Sequence, residues 1–165
     1  MALIVEDGTN VTGAESYLTV SAADTYFSDR GNAAWAALTT AQKEEHLRIA
    51  AARLDNGYRW RGLMTNPDTQ AMEWPRWAVD DSRGRRYDSD EIPQRLKDAQ
   101  AELANQNRVT SLDVIVTGRQ VTSESLDVLS VEYTRYGTDT KIFPWIDDLV
   151  APLTSGGGAS QFVKG

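Results

Sequence analysis

Residues 58–77 concentrate the side chains that could do chemistry in this sequence. The stretch "YRWRGLMTNPDTQAMEWPRW" holds three of the chain's five tryptophans and three arginines. Flat indole rings beside guanidinium groups are typical of surfaces that stack the bases of single-stranded nucleic acid and neutralise its phosphates. The candidate DNA-contacting residues are therefore Arg59, Trp60, Arg61, Trp74, Arg76 and Trp77.

The same residue types also build folded cores. Trp60 could end the apolar stripe of the preceding helix, and Trp74 could pack beneath a loop, with both indole N–H groups bonded to backbone. Charge favours this interpretation, because the chain carries a net charge of -7. Between residues 53 and 86, seven arginines stand against five acids, so this segment carries +2 and the remainder -9. Since binding to DNA without phosphate neutralisation is weak, single-stranded-DNA binding stays the alternative to core packing.

Catalytic arrangements are not found in the sequence. The one histidine, His46, has neither a nucleophile nor a second metal-binding residue near it and is expected to be a partly exposed helix residue. The pairs Asp80–Asp81 and Asp147–Asp148 are neighbours in sequence, so their side chains diverge and favour turn and surface positions. "SGGGAS" lacks the Lys-Ser/Thr of a phosphate-binding loop, and cysteine is absent. We predict no enzyme, no cofactor and no metal.

Apolar spacing predicts a mainly α fold with a β-hairpin (α+β) and a flexible C-terminal tail. Four helical segments are expected before residue 110. They are a helix over about 22–29 started by a capping box of Ser21 and Asp24, a short turn carrying Trp35, a helix capped by Thr39 or Thr40 that ends near Gly57, and a helix with Pro93 in its first turn that ends near Asn107.

In the C-terminal part of the chain, the spacing of apolar residues changes from helical to alternating. Leu129, Val131 and Tyr133 alternate with polar residues, which predicts a strand paired with a partner around 114–124, in a hairpin spanning 110–136. A short amphipathic helix is expected within 143–153, and the glycine-rich residues 154–165 form the tail. We therefore predict one domain over 1–153 followed by that tail. The N-terminus lacks a basic region of the signal-peptide type, and no apolar run is long enough to span a membrane.

Several segments, in order, resemble a known family. They are "SYLTVSAADTYFSDRGNAAW", "RLDNGYRWRG", "AMEWPR", "EIPQRLKDAQAELA", "LSVEY" and "FPWIDDLVAPL". Together they resemble small tailed-phage and prophage proteins that are often labelled DnaT-like single-stranded-DNA-binding proteins and that are similar to head-tail connector, or adaptor, proteins. The resemblance covers about residues 1–153.

The resemblance implies a fold that is a small helical bundle with extended arms. It also implies a virion structural protein at the head-tail interface, made in the cytoplasm of the bacterial host. Such adaptors form a ring, usually twelvefold, beneath the portal protein. The ring extends the channel through which genome DNA passes without sequence-specific contact, and it docks the next neck or tail protein. No membrane partner is implied. Contacts between subunits would use the hairpin residues Leu129, Val131 and Tyr133. The portal or neighbouring-subunit interface would use Phe143, Pro144, Trp145, Ile146, Leu149 and Phe162. A transient assembly factor is a third possibility.

Overall fold

The computed structural model describes residues 2–109, 121–125, 130–133 and 144–155, and these ranges are mostly helical. The prediction of a mainly α fold with a small antiparallel hairpin is confirmed. The helices are α1 Val20–Ser28, α2 Ala33–Ala36, α3 Thr40–Gly57, α4 Gln94–Val109 and α5 Pro144–Val150, followed by a 3₁₀ helix at Ala151–Leu153. The strands are β1 Leu63–Met64, β2 Arg76–Trp77, β3 Val121–Ser125 and β4 Ser130–Tyr133.

Helix α1 begins earlier than the sequence pattern predicts. Thr19, in an extended conformation, is the N-cap, and its side chain accepts a hydrogen bond from the Ala22 N–H. The prediction that Ser21 caps this helix with Asp24 was wrong, because Asp24 is used elsewhere. Its carboxylate accepts from the Trp35 indole N–H at 2.9 Å and pairs with the Lys43 ammonium at 2.8 Å. Asp24 thereby joins α1 to α2 and α3.

Helix α3 follows its sequence signals closely. Thr39 and Gln42 form a complete capping box, and the helix ends at Gly57 as predicted. The apolar stripe is buried at Leu47, Ala50, Ala51 and Leu54. A helix so rich in polar residues owes its stability mainly to packing of this one face rather than to propensity.

Helices α3 and α4 pack on each other, and a buried glutamine ties both to the N-terminal segment. Gln100 is fully buried, so its amide must find partners inside the protein. Its Oε1 accepts from the Tyr17 N–H at 2.9 Å, and its Nε2 donates to Ser16 Oγ at 2.7 Å and to the Leu47 carbonyl at 3.0 Å. One side chain therefore fixes three parts of the core relative to each other.

Two short antiparallel ribbons complete the described part of the chain. In the first, Leu63 pairs with Trp77 and Met64 with Arg76. In the second, β3 pairs with β4, with Val121 opposite Tyr133 and an irregularity after Val121. This second ribbon lies within the range 110–136 that the sequence predicts to form a hairpin, and its described parts are β3 and β4. A separate isolated bridge joins Asp80 and Arg86.

A buried carboxylate organises the N-terminal loop. Glu6 is fully buried, and its side chain accepts hydrogen bonds from the N–H groups of Gly8, Asn10 and Val11 at 2.8–3.0 Å. Gly8 has φ +109°, and a Cβ atom there would lie 1.7 Å from the Asp90 carbonyl oxygen. The loop therefore rests directly on the segment that precedes α4, and only glycine fits at that contact.

None of the described helices combines the length and the apolar character needed to cross a membrane.

Candidate nucleic-acid interface

The aromatic residues of 58–77 divide into buried and exposed groups. Trp74 is fully buried and Trp60 nearly so, and their rings meet edge to face with centroids 6.0 Å apart. Tyr87 meets the other side of Trp74 in the same way, at 6.4 Å. Neither buried indole is accessible to a DNA base, and core packing is the observed role of both.

The indole N–H groups of this cluster differ from the prediction. Backbone partners were expected, but Nε1 of Trp60 and Nε1 of Trp74 have no hydrogen-bond partner among the described residues. The physical reason lies in their aromatic neighbours: Trp60 and Tyr87 pack edge to face on Trp74, and Tyr58 packs on Trp60 at a tilt. This packing favours ring contact over hydrogen bonding.

Arg76 is buried inside the folded segment 58–77 rather than exposed on its surface. Its guanidinium donates to the carbonyls of Arg61 at 2.8 Å, Gly62 at 3.0 Å and Glu73 at 3.1 Å. It also pairs with the Glu73 carboxylate at 2.8 Å. Because these acceptors use its donors, Arg76 clamps β2 onto the chain that leads into β1, and it is not placed to reach a phosphate.

The other Trp and Arg residues of this stretch, Arg59, Arg61 and Trp77, are exposed. Along 59–64 exposure alternates: residues 59, 61 and 63 are exposed, whereas residue 60 is buried and residues 62 and 64 are half-buried. Leu63 is 58% exposed, and Trp77, its partner across the ribbon, is 48% exposed. Cross-strand partners present their side chains on the same side of a ribbon. We call Arg59, Arg61, Leu63 and Trp77 the ribbon face.

Two backbone features hold the ribbon face in place. Gly62 has φ +69°, and a Cβ there would lie 2.2 Å from the Trp77 carbonyl oxygen, so the two backbones approach closely. In addition, 59–61 is hydrogen-bonded to the C-terminal segment: the Arg61 N–H donates to the Leu153 carbonyl at 2.9 Å, and the Ser155 N–H donates to the Arg59 carbonyl at 2.8 Å. The C-terminal segment thus forms an isolated antiparallel bridge, Thr154 to Trp60, beside 59–61, a contact that the sequence did not predict.

The charges near the ribbon face are unevenly compensated. Arg85 pairs with Glu91 at 2.9 Å, and Arg86 pairs with Asp80 at 2.9 Å. The hydrogen bond from Arg86 lowers the pKa of Asp80. Within the described ranges, Arg59 and Arg61 form no such ion pair. Only part of the basic segment is therefore open to an anion.

The half-buried carboxylate of Asp55 supports the folded segment 58–77 through hydrogen bonds. Asp55 accepts a hydrogen bond from the Tyr17 hydroxyl and another from the Glu73 N–H at 3.3 Å. The Tyr17 hydroxyl in turn accepts from the Trp74 N–H at 3.2 Å. Burial raises the pKa of Asp55 to about 6. Sequence reasoning missed Tyr17 and Asp55, because the two are distant in sequence and neither belongs to a recognisable motif.

The raised pKa of Asp55 predicts a pH dependence of stability. An unfolded aspartate titrates near pH 3.8, so between about pH 4 and pH 6 the native state binds more protons than the unfolded state. The Asp55 contribution to the unfolding free energy therefore falls as pH rises, by about 3 kcal/mol in total. In urea denaturation from pH 4 to pH 7, the Asp55→Asn variant should gain stability relative to the wild type by about this amount. The exposed control Asp68→Asn should follow the wild type, and parallel curves for Asp55→Asn would refute the assignment.

The other candidate chemical groups occupy structural positions. Nδ1 of His46 is hydrogen-bonded to the Asn107 side chain at 2.8 Å, and burial lowers its pKa. Asp81 accepts from the N–H groups of Arg83 and Arg85, which confirms its turn role. Asp147 accepts from the Tyr58 hydroxyl at 2.7 Å. In the part of the chain that the structure describes, no three His, Cys, Asp or Glu side chains are grouped as a metal would require.

The residues expected at subunit interfaces are only partly described. In α5, Trp145 is 46% exposed, Leu149 is half-buried, and Ile146 is buried in the chain's own core. Pro144 begins this helix. Val131 and Tyr133 lie in β4, whereas Leu129, Phe143 and Phe162 lie outside the described residues. The interface roles of all these residues stay predictions.

The fold and the ribbon face define a small helical protein with an aromatic and cationic surface patch. A family model described as "Putative DnaT-like ssDNA binding protein" matches residues 1–164, so the chain belongs to that family. No curated protein matches the chain. No solved structure matches it either.

Proposed function

We propose that the protein binds single-stranded DNA through the ribbon face. The observation that carries the proposal is the exposure of Trp77 on a rigid ribbon that also presents Arg59 and Arg61. An exposed indole can stack on any base, and two arginines can neutralise neighbouring phosphates, so the surface suits binding without sequence preference. The description of the family supports the same function.

The binding mode follows from where the side chains lie. Trp60, Trp74 and Arg76 are buried and hold the folded segment 58–77 together. Of the six candidate residues, Arg59, Arg61 and Trp77 are therefore the ones that face the DNA. A single stacking ring and two cations make a small site on a protein of net charge -7. We therefore expect weak binding that needs low salt, and a preference for single strands, whose bases are free to stack.

The salt dependence of binding tests this proposal quantitatively. If two phosphates are neutralised, the logarithm of the association constant should fall with the logarithm of salt concentration with a slope of about -1.4. Fluorescence anisotropy of a labelled oligo(dT) at several salt concentrations measures this slope. The Arg59→Ala and Arg61→Ala variants should each lower its magnitude by about 0.7. A slope unchanged in both variants would show that the phosphates are bound elsewhere.

A head-to-tail adaptor is the second candidate function. The ordered resemblance to connector proteins supports it, as does the exposed Trp145 of α5, which offers an aromatic anchor to a partner. A net charge of -7 would let genome DNA slide through a ring without sticking. In this role the protein would be located in the virion, bound to the portal protein, to copies of itself and to a neck or tail protein.

Composition of purified particles separates the two candidates. An adaptor ring requires a fixed ratio of this chain to the portal protein, measured by quantitative mass spectrometry. A DNA-binding accessory protein or a transient assembly factor would be present in infected cells and absent from the particles.

A further inference from the structure

The cleft where α1, α2 and α3 meet is a second candidate site, away from the ribbon face. Its volume of about 450 Å³ is in the range of small-molecule sites. Its lining includes Asp24, Phe27, Trp35, Ala36 and Lys43, and no residue of the ribbon face. Lys43 lies near the start of the 18-residue helix α3, whereas the ribbon face follows the end of that helix.

The cleft contains a buried ammonium group whose donors are only partly used. Lys43 is 9% exposed, and its Nζ lies 2.8 Å from Asp24 Oδ1. An ammonium group has three donors, and Asp24 is the one acceptor that the described residues offer it. A buried charge is stabilised only when its remaining protons also find acceptors. A ligand that brings an acceptor into the cleft is therefore favoured.

The carboxylate of Asp24 has an unused acceptor at the same place. Its Oδ1 accepts from the Trp35 indole N–H at 2.9 Å and pairs with Lys43. In the part of the chain that the structure describes, Oδ2 of Asp24 has no partner, and the side chain is 43% exposed. The cleft thus presents a donor and an acceptor next to each other on one fixed ion pair.

The two opposite charges determine which ligands fit. A carboxylate bound to Lys43 would lie against Asp24, and a cation bound to Asp24 would lie against Lys43, so each would be repelled. A neutral ligand with a carbonyl beside an N–H meets both groups without adding a charge. Phe27 and Trp35, with ring centroids 4.6 Å apart, form an apolar base that suits a flat ring.

We propose that the cleft binds a nucleobase that carries a carbonyl next to a ring N–H, such as thymine. Lys43 donates to the carbonyl, the ring N–H donates to Asp24 Oδ2, and the ring lies against Phe27 and Ala36. This site is additional to the proposed DNA binding at the ribbon face and does not depend on it. The same base chemistry occurs in a free nucleoside and in a DNA strand, and the test compares the two sources.

The test titrates the full-length protein with thymidine and with N3-methylthymidine, which lacks the ring N–H. Proton–nitrogen correlation NMR follows the indole N–H of Trp35, which is bonded to Asp24. Ala36→Leu narrows the cleft and keeps the ion pair of Lys43 and Asp24. Ala34→Leu is the matched control, because Ala34 is an exposed alanine of the same helix that does not line the cleft. Oligo(dT) is titrated in parallel.

We expect thymidine to shift the Trp35 signal, and we expect N3-methylation and Ala36→Leu each to weaken binding by about tenfold or more. Ala34→Leu and Trp77→Ala should leave thymidine binding unchanged. The N3-methyl comparison uses the wild type, so it is valid whatever the stability of Ala36→Leu.

An unshifted Trp35 signal, or equal binding of N3-methylthymidine, would overturn the proposal. Thymidine binding that is lost in Trp77→Ala and kept in Ala36→Leu would place the nucleoside on the ribbon face and would also overturn it. A Trp35 shift with oligo(dT) as well as thymidine identifies a DNA base as a ligand, and a shift with thymidine alone identifies a free nucleoside; both support the cleft. Thymidine binding at the cleft of a protein that binds no oligo(dT) would support this site and contradict the proposed function.

Discussion

Replacing Trp77 with alanine is expected to weaken oligo(dT) binding by about tenfold or more. One base stacked on an aromatic side chain contributes roughly 1–3 kcal/mol. In the proposed binding mode Trp77 supplies the stacking ring, since the nearby Trp60 and Trp74 are buried. The affinity of the wild type and the variant is compared by anisotropy at low salt, where weak binding is measurable.

Trp145→Ala provides the matched control for this experiment. Trp145 is 46% exposed, close to the 48% of Trp77, but it lies on α5 rather than on the ribbon. Its replacement should leave DNA affinity unchanged. Equal losses in the two variants would mean that exposed tryptophans act non-specifically, and an unchanged affinity in Trp77→Ala would remove the ribbon face from the account.

Replacing Glu6 with alanine is expected to have the largest effect on stability. The carboxylate of Glu6 satisfies three backbone N–H groups in a loop where Glu6 itself is fully buried. Its removal leaves those donors unpaired and opens a cavity, at a cost of about 3–5 kcal/mol in unfolding free energy. Urea denaturation with circular dichroism detection measures the change.

Two further variants show whether the carboxylate is responsible. Glu6→Gln keeps one acceptor oxygen and turns the other into a donor. Its unfolding free energy should therefore lie between those of the wild type and Glu6→Ala. Asp7→Ala removes the adjacent, exposed carboxylate, which bonds only within its own turn to Thr9, and its effect should be much smaller. If Glu6→Ala and Asp7→Ala were equally stable, the loop would not depend on the buried carboxylate.

The N-terminal loop also affects the candidate site through a contact at its tip. The Asn10 amide donates to Thr69 Oγ1 at 2.8 Å, which links the loop to the segment between β1 and β2. Disturbing Glu6 should therefore loosen the chain that carries the ribbon face. DNA affinity in Glu6→Ala should be measured at a temperature where the variant is still folded.

The helices were predictable because their signals are local. The capping box of Thr39 and Gln42 and the stripe at Leu47, Ala50 and Leu54 depend only on residues within one helix. The start of α1 was misjudged because two hydroxyl residues, Thr19 and Ser21, could each cap it. Asp24, the presumed partner of Ser21, instead pairs with Lys43. A local pattern does not show when a carboxylate is needed by a distant ammonium group.

The candidate site could be located from the sequence, but its residues could not be sorted. The density of Trp and Arg in 58–77 indicated the segment from which the candidate site is built. Which of these residues are buried depends on contacts with Tyr17, Asp55 and the bridged segment 153–155, all far away in sequence. The role of Arg76 as a clamp depends on carbonyls that converge only when Gly62 adopts its positive φ. Such convergence is a tertiary property.

Photocrosslinking tests the central claim most directly. An oligonucleotide that contains 5-bromodeoxyuridine is irradiated with the wild-type protein at low salt, and the crosslinked peptide is identified by mass spectrometry. DNA binding at the ribbon face predicts a single main adduct at Trp77, lost in Trp77→Ala and retained in Trp145→Ala. No adduct, or an adduct mainly at Trp145, would contradict the account and bring the adaptor function to the front.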